Sequence, residues 1–169
     1  MLWTPLAEVS RAYRTQHGLD LSLTTNGTRL DRNAIRALLL DYYSEVTISI
    51  DGFAAAHVAQ RGLPGLHSAL EQSVTRLAAN KRAAGQGPLL RANVVLMRGN
   101  IAHFAPLCRE LPRWGIEEIT FNQLGGNGQP EIFPANRLLP QQTRAFAAQV
   151  PALRRELADM GVRLCGKDD

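Results

Sequence analysis

Residues 89–101, LLRANVVLMRGNI, decide the fold: an apolar strand, Asn93 to Met97, runs straight into the polar cluster Arg98-Gly99-Asn100, and a helix opens at Ile101. Three more stretches repeat the pattern. Leu21 to Thr25 ends in Asn26-Gly27, Val46 to Ile50 ends in Asp51-Gly52, and Ile119 to Phe121 ends in Asn122-Gln123. These strands lack strict polar alternation, the pattern expected of a parallel sheet covered by helices. Parallel sheets collect functional groups at the C-terminal ends of their strands, so the polar clusters mark the candidate site.

Helical periodicity fills the spaces between the strands. Pro5 to Gln16 reads as a helix with Thr4 as N-cap and Pro5 at its first position. Asp31 is expected to cap a second helix carrying Ile35, Leu38, Leu39 and Tyr42. After a loop containing Gly52, Gly62 and Gly65, a helix over Leu66 to Ala84 carries Leu70, Val74 and Leu77 on one stripe. Ile101 to Trp114 and Pro140 to Met160 follow, with Gly161 closing the last helix before Val162 to Cys165 begins a further strand. Loop Leu124 to Leu139, rich in glycine and proline, is long for a compact domain and is the expected substrate-facing element.

Strand and helix thus alternate about five times, which makes the class α/β. Doubly wound sheets and barrels are both built from right-handed strand-helix-strand units. No GxGxxG follows the first strand and no Walker lysine occurs, which favours an incomplete (β/α) barrel of parallel strands with outer helices over residues 1–169.

Composition limits the function classes. With 169 residues, 45% hydrophobic and 20% charged, the chain can bury a real core. Its net charge of +4 comes from arginines scattered along helices, without the dense basic run and interleaved aromatics of a nucleic-acid stripe. No apolar run approaches the roughly 20 residues that span a bilayer, and no signal segment is evident, so a cytoplasmic location is expected, with no membrane and no nucleic-acid partner. The two cysteines, Cys108 and Cys165, have no metal-ligand spacing and are not expected to form a disulfide. His57, His67 and His103 lack partner carboxylates in the pattern and read as non-catalytic.

The series LSLTTNGTRL, VTISIDG, LLRANVVLMRGNI and WGIEEITFNQL, in that order and spacing, resembles the middle and later strands of radical S-adenosylmethionine enzymes. The likeness runs from about Leu21 to Gln123, towards members related to the molybdenum-cofactor cyclase and to the peptide-modifying branch. It implies a partial or full barrel with S-adenosylmethionine across the strand ends. Thr25 and Asn26 then look like contacts to the cofactor's ribose or methionine portion, and Ser49, with Asp51, looks like the ribose contact. Arg91, with Asn93 on the same strand face, resembles the basic position that pairs with the cofactor's carboxylate, and Asn122 and Gln123 face adenine or substrate. A zwitterionic, ribose-bearing ligand needs a cation for its carboxylate and hydroxyls or amides for its sugar, which these residue types supply.

The family's 4Fe-4S cluster, held by a CxxxCxxC segment, cleaves the cofactor reductively to a 5′-deoxyadenosyl radical. That motif does not occur here. The resemblance therefore implies a core domain whose cluster-binding segment lies before Met1, with no metal ligands of its own and no activity alone. It implies a peptide or small-molecule substrate, and Cys165 as one ligand of an auxiliary cluster completed downstream. Residue by residue, blander readings stand beside these: Thr25-Asn26-Gly27 as turn chemistry, Arg91 as a surface residue at a strand start, and Cys165 as a structural thiol. The alternative function is a non-catalytic scaffold or interaction module that pairs with another chain, or with a copy of itself, through exposed sheet edges.

Overall fold

The computed structural model describes residues 5–52, 66–126 and 131–166. Thr4, His57, Gly62, Gly65, Gly128 and Pro130 lie outside the described residues, as do residues 167–169. The elements are α1 (Leu6–His17), β1 (Leu21–Thr25), α2 (Asn33–Tyr42), β2 (Tyr43–Ser49), α3 (Leu66–Ala84), β3 (Leu89–Leu96), α4 (Phe104–Trp114), β4 (Glu118–Gln123), the short α5 (Phe133–Asn136), α6 (Pro140–Asp159) and β5 (Arg163–Cys165). A single 3₁₀ turn, Ile101–His103, leads into α4.

All five strands are parallel and lie in the order β1-β2-β3-β4-β5. Each is laid beside the one before it, so the crossovers advance in one direction, and right-handed crossovers then place every connecting helix on the same face. A doubly wound sheet would reverse once and cover both faces. Strand order therefore makes this a segment of a (β/α) barrel, with helices outside and the other face uncovered by any of the described elements.

The two faces differ as this predicts. Along β3, Leu90, Ala92, Val94 and Leu96 are buried, while Leu89, Arg91, Asn93 and Val95 alternate with them and are half-buried. Register puts Ile48 and Ile119 beside Ala92 on the buried face. Helix stripes cover that face: Leu70, Val74 and Leu77 from α3, Leu107 and Leu111 from α4, Val150, Leu153 and Leu157 from α6. Each such side chain contributes about 1.5–3 kcal/mol by leaving water. Behind the end of β4, Phe121 packs edge-on against Phe104 and Phe146, which also touch each other, all at centroid distances of 5.3 Å. No helix among the described residues is long and apolar enough to cross a membrane.

Several boundaries differ from the sequence expectation. Asp31 is not the N-cap of α2; Arg32 takes that position, without a side-chain cap bond. Hydrogen bonds from Leu30 N to Gly27 O (3.0 Å) and from Arg32 N to Arg29 O (3.2 Å) extend the preceding turns and delay the helix. Strand β2 starts at Tyr43, three residues before Val46, because α2 runs directly into it. The long loop after β4 contains α5.

Helix α4 ends on Gly115 at φ +90°, and a Cβ there would lie 2.4 Å from the Ala78 Cβ of α3. Both backbone strain and collision oppose any side chain at this crossing. Gly115→Ala is expected to cost about 2–3 kcal/mol, read as a lower urea midpoint, whereas Gly99→Ala, with open space around it, should change stability by less than about 0.5 kcal/mol.

Candidate ligand site at the strand ends

The open face carries polar side chains in rows fixed by strand register. One row holds Thr47, Arg91, Glu118 and Arg163, one from each of β2 to β5, with Glu45 one row nearer the strand starts. Arg91 donates to both Glu45 and Glu118, and Arg163 donates to the second oxygen of Glu118. The Glu118 side chain is only 3% exposed. A carboxylate that far from water requires polar partners, and Arg91 and Arg163 supply them across three strands. Thr47 Oγ1 donates to Glu45 at 3.2 Å. Arg91 is therefore committed to carboxylates of this chain.

One row closer to the strand ends lie Ser49, Asn93, Thr120 and Cys165. Asn93 Oδ1 accepts from Thr120 Oγ1 (3.0 Å) and from Asn122 Nδ2 (3.1 Å). Two donors on its oxygen fix the amide and leave Asn93 Nδ2 without a partner among the described residues. The adjacent Ser49 hydroxyl also has none there. Half-buried donors left open side by side suit the hydroxyls of a ligand.

Where β2 ends, side chains take over its sheet bonding. Asp51, which is buried, accepts from Val95 N through Oδ1 at 3.1 Å. Asn100 Nδ2 donates to Asp51 O (2.9 Å) and Val95 O (2.8 Å), while Asn100 Oδ1 accepts from Met97 N (2.8 Å). This clamp ties the loop after β3 to the ends of β2 and β3. Asn100 had a visible signal in the Arg98-Gly99-Asn100 cluster, but its position in the cluster did not show that it would bond backward.

Thr25 and Asn26 lie elsewhere. Thr25 pairs in register with Ile48, so it shares the helix-facing side with Leu23, and its Oγ1 accepts from Gly27 N (3.1 Å). Asn26 Oδ1 accepts from Thr28 N (3.2 Å) and Thr28 Oγ1 (2.9 Å), closing the turn. On β1 it is Ser22 and Thr24 that face the open side with Glu45 and Thr47. The structure thus brings together Ser49, Asn93 and Asn122, places Arg91 below them and Asp51 beneath the rim, and leaves Thr25 and Asn26 on the far side of β1. Gln123 is exposed at the end of β4, on the side opposite Asn122.

The two cysteines lie apart. Both are free; Cys108 is buried in α4 among the helix layer, and Cys165 alternates with buried Leu164 onto the open side of β5. Among the described residues no group of three or more His, Cys, Asp or Glu side chains is arranged to hold a metal ion. Three thiolates for a 4Fe-4S cluster are not available from a chain with two cysteines on opposite faces of the sheet.

Among solved structures, the chain is similar to a domain of pyruvate-formate lyase-activating enzyme from Bacteroides vulgatus ATCC 8482, with a TM-score of 0.66 at 11% identity over 96% of this chain and 89% of that one. At that identity the likeness is one of fold. No family model matches the sequence, and no curated protein is similar to it.

Asn100→Ala would remove the side-chain hydrogen bonds to Asp51 O, Val95 O and Met97 N together. It is expected to destabilise the fold by about 3 kcal/mol, measured by denaturant unfolding. Burial pushes the Cys108 thiol up to about 12. Its proton is held more tightly in the folded chain than in the unfolded one, so its contribution to stability is complete below the ordinary thiol range and is lost as pH rises from there towards 12. Iodoacetamide at pH 8 should alkylate Cys165 alone in the native protein and both cysteines in urea, as counted by mass spectrometry.

Proposed function

We propose that the open face binds S-adenosylmethionine across the C-terminal ends of β2, β3 and β4, and that the chain is the partial barrel body of a radical S-adenosylmethionine enzyme acting on a peptide or small molecule. The observation that carries this reading is the pair of open donors, Ser49 Oγ and Asn93 Nδ2, side by side at the strand ends of a one-sided parallel sheet. The fold likeness to an activating-enzyme domain and the sequence likeness from Leu21 to Gln123 support it.

In this reading Ser49 and Asn93 hydrogen-bond the ribose, while Thr120 and Asn122 hold the Asn93 amide in place. Asn122 faces the substrate, whereas Gln123 turns to the other side of β4 and takes no part. Arg91 forms the floor, and pairing it with the ligand's carboxylate requires Glu45 to yield its place, since Glu118 is buried behind it. S-adenosylmethionine bound beside a reduced 4Fe-4S cluster supplies a 5′-deoxyadenosyl radical. The thiolates for such a cluster would come from outside this sequence, so the chain by itself binds and does not cleave.

The cysteine placement also favours a second reading, a non-catalytic scaffold that pairs with another chain. Calorimetric titration with S-adenosylmethionine separates the two. Saturable binding is expected, weakened about tenfold, or about 1.4 kcal/mol, by Asn93→Ala and severalfold by Ser49→Ala. The ligand should also slow alkylation of Cys165, which sits in the same row. Absence of both binding heat and protection at millimolar ligand would sink the proposal and leave the scaffold.

A further inference from the structure

Among the described residues, the sheet has two edge strands, β1 and β5. Arg163 N donates to Glu117 O of the β4 side at 3.1 Å. Successive residues of a parallel strand turn their backbone groups to alternate neighbours, so Leu164 and Gly166 direct theirs away from β4, to the free side. An added strand would bring N–H donors to those two carbonyls.

Arg154, in the middle of α6, reaches them first. Its Nε donates to Leu164 O at 3.1 Å and its Nη2 to Gly166 O at 2.7 Å. The guanidinium is a planar fork whose donors keep a fixed spacing, and it stays charged at every relevant pH. Charge-assisted bonds of this kind are about twice as strong as the neutral amide bonds of a strand ladder. An incoming strand would have to break both. At the other edge, no side chain is bonded to the backbone of Leu21–Thr25 among the described residues.

We infer that Arg154 guards the free edge of β5, occupying the carbonyls through which a second copy of this chain would add a strand. Edge strands are standing invitations to pairing, and folds that leave them open blunt them with charge, bulges or covering elements. Here the cover is one side chain, supplied by the helix that leads into the strand it protects. Self-association through strand pairing is then confined to β1, and an open-ended head-to-tail array, which needs both edges, cannot grow.

The test compares wild type with Arg154→Met, which keeps most of the side chain's length and apolar stem but removes the donors. Sedimentation velocity across a wide concentration range gives the assembly state, and amide hydrogen exchange at Arg163 reports whether β5 remains on β4. With β5 still paired, Arg154→Met should associate about tenfold or more tightly than wild type and pass beyond any assembly that wild type forms. Unchanged association with β5 in place overturns the inference. Unchanged association with rapid exchange at Arg163 also overturns it, because Arg154 would then be a staple for the strand and nothing more. If Arg154→Met does not fold, Arg154→Lys, a point donor without the fork, takes its place with the same outcomes. None of these readouts involves S-adenosylmethionine, so failure here leaves the ligand proposal intact.

Discussion

Everything in this structure depends on the direction in which the strands are laid down. Because each strand is added on the same side as the last, right-handed crossovers put all the helices on one face. The apolar side chains of β2, β3 and β4 must then be concentrated on that face, and the other carries whatever the pleat places there: threonine, serine, asparagine and four charged groups. A polar face half sheltered from water is unusual in a small domain. It holds together because its charges are arranged in alternation, acid against base: Glu45 of β2, then Arg91, Glu118 and Arg163 of β3 to β5.

That alternation has an energetic meaning. Glu118, at 3% exposure, sits between two guanidinium groups, and removing a partner from a buried ion pair typically costs about 3–5 kcal/mol, a cost that applies to the largely buried Arg91 and much less to Arg163, whose side chain is 72% exposed and screened by water. The row therefore behaves as a structural floor and offers no unpaired charge. The candidate ligand-binding groups sit one row higher, where the Asn93 amide is bonded through its oxygen only. Charge and recognition are separated by two residues along each strand.

The sequence made the architecture legible because the strands end so abruptly in polar clusters. Five strands, their helices and the α/β class could be read from apolar runs and periodicity. What could not be read were features that depend on bonds across strands. Nothing marked the start of β2, since Tyr42 and Tyr43 join helix to strand with no turn between them. The pairing of Arg91 with Glu45 and Glu118 joins residues 46 and 27 positions apart, beyond any local pattern. Thr25 is a different case. Leu21, Leu23 and Thr25 alternate with Ser22 and Thr24, and that parity alone assigns Thr25 to the apolar face; the strand-end position masked it. Asp51 and Asn100 were visible as polar residues after strands, yet their work in extending the sheet follows only from where Val95 lies.

The three phenylalanines behind β4 give the site a mechanical property. Phe121, Phe104 and Phe146 come from a strand and two different helices and meet edge to face, so the backbone that carries Asn122 is braced from behind by two outer layers at once. Stiffness and chemistry thus reside on opposite sides of a single sheet. The open face can exchange one hydroxyl or amide for another without disturbing the brace, whereas a change to the brace will be felt at Asn122 even though that side chain lies on the other side of the strand.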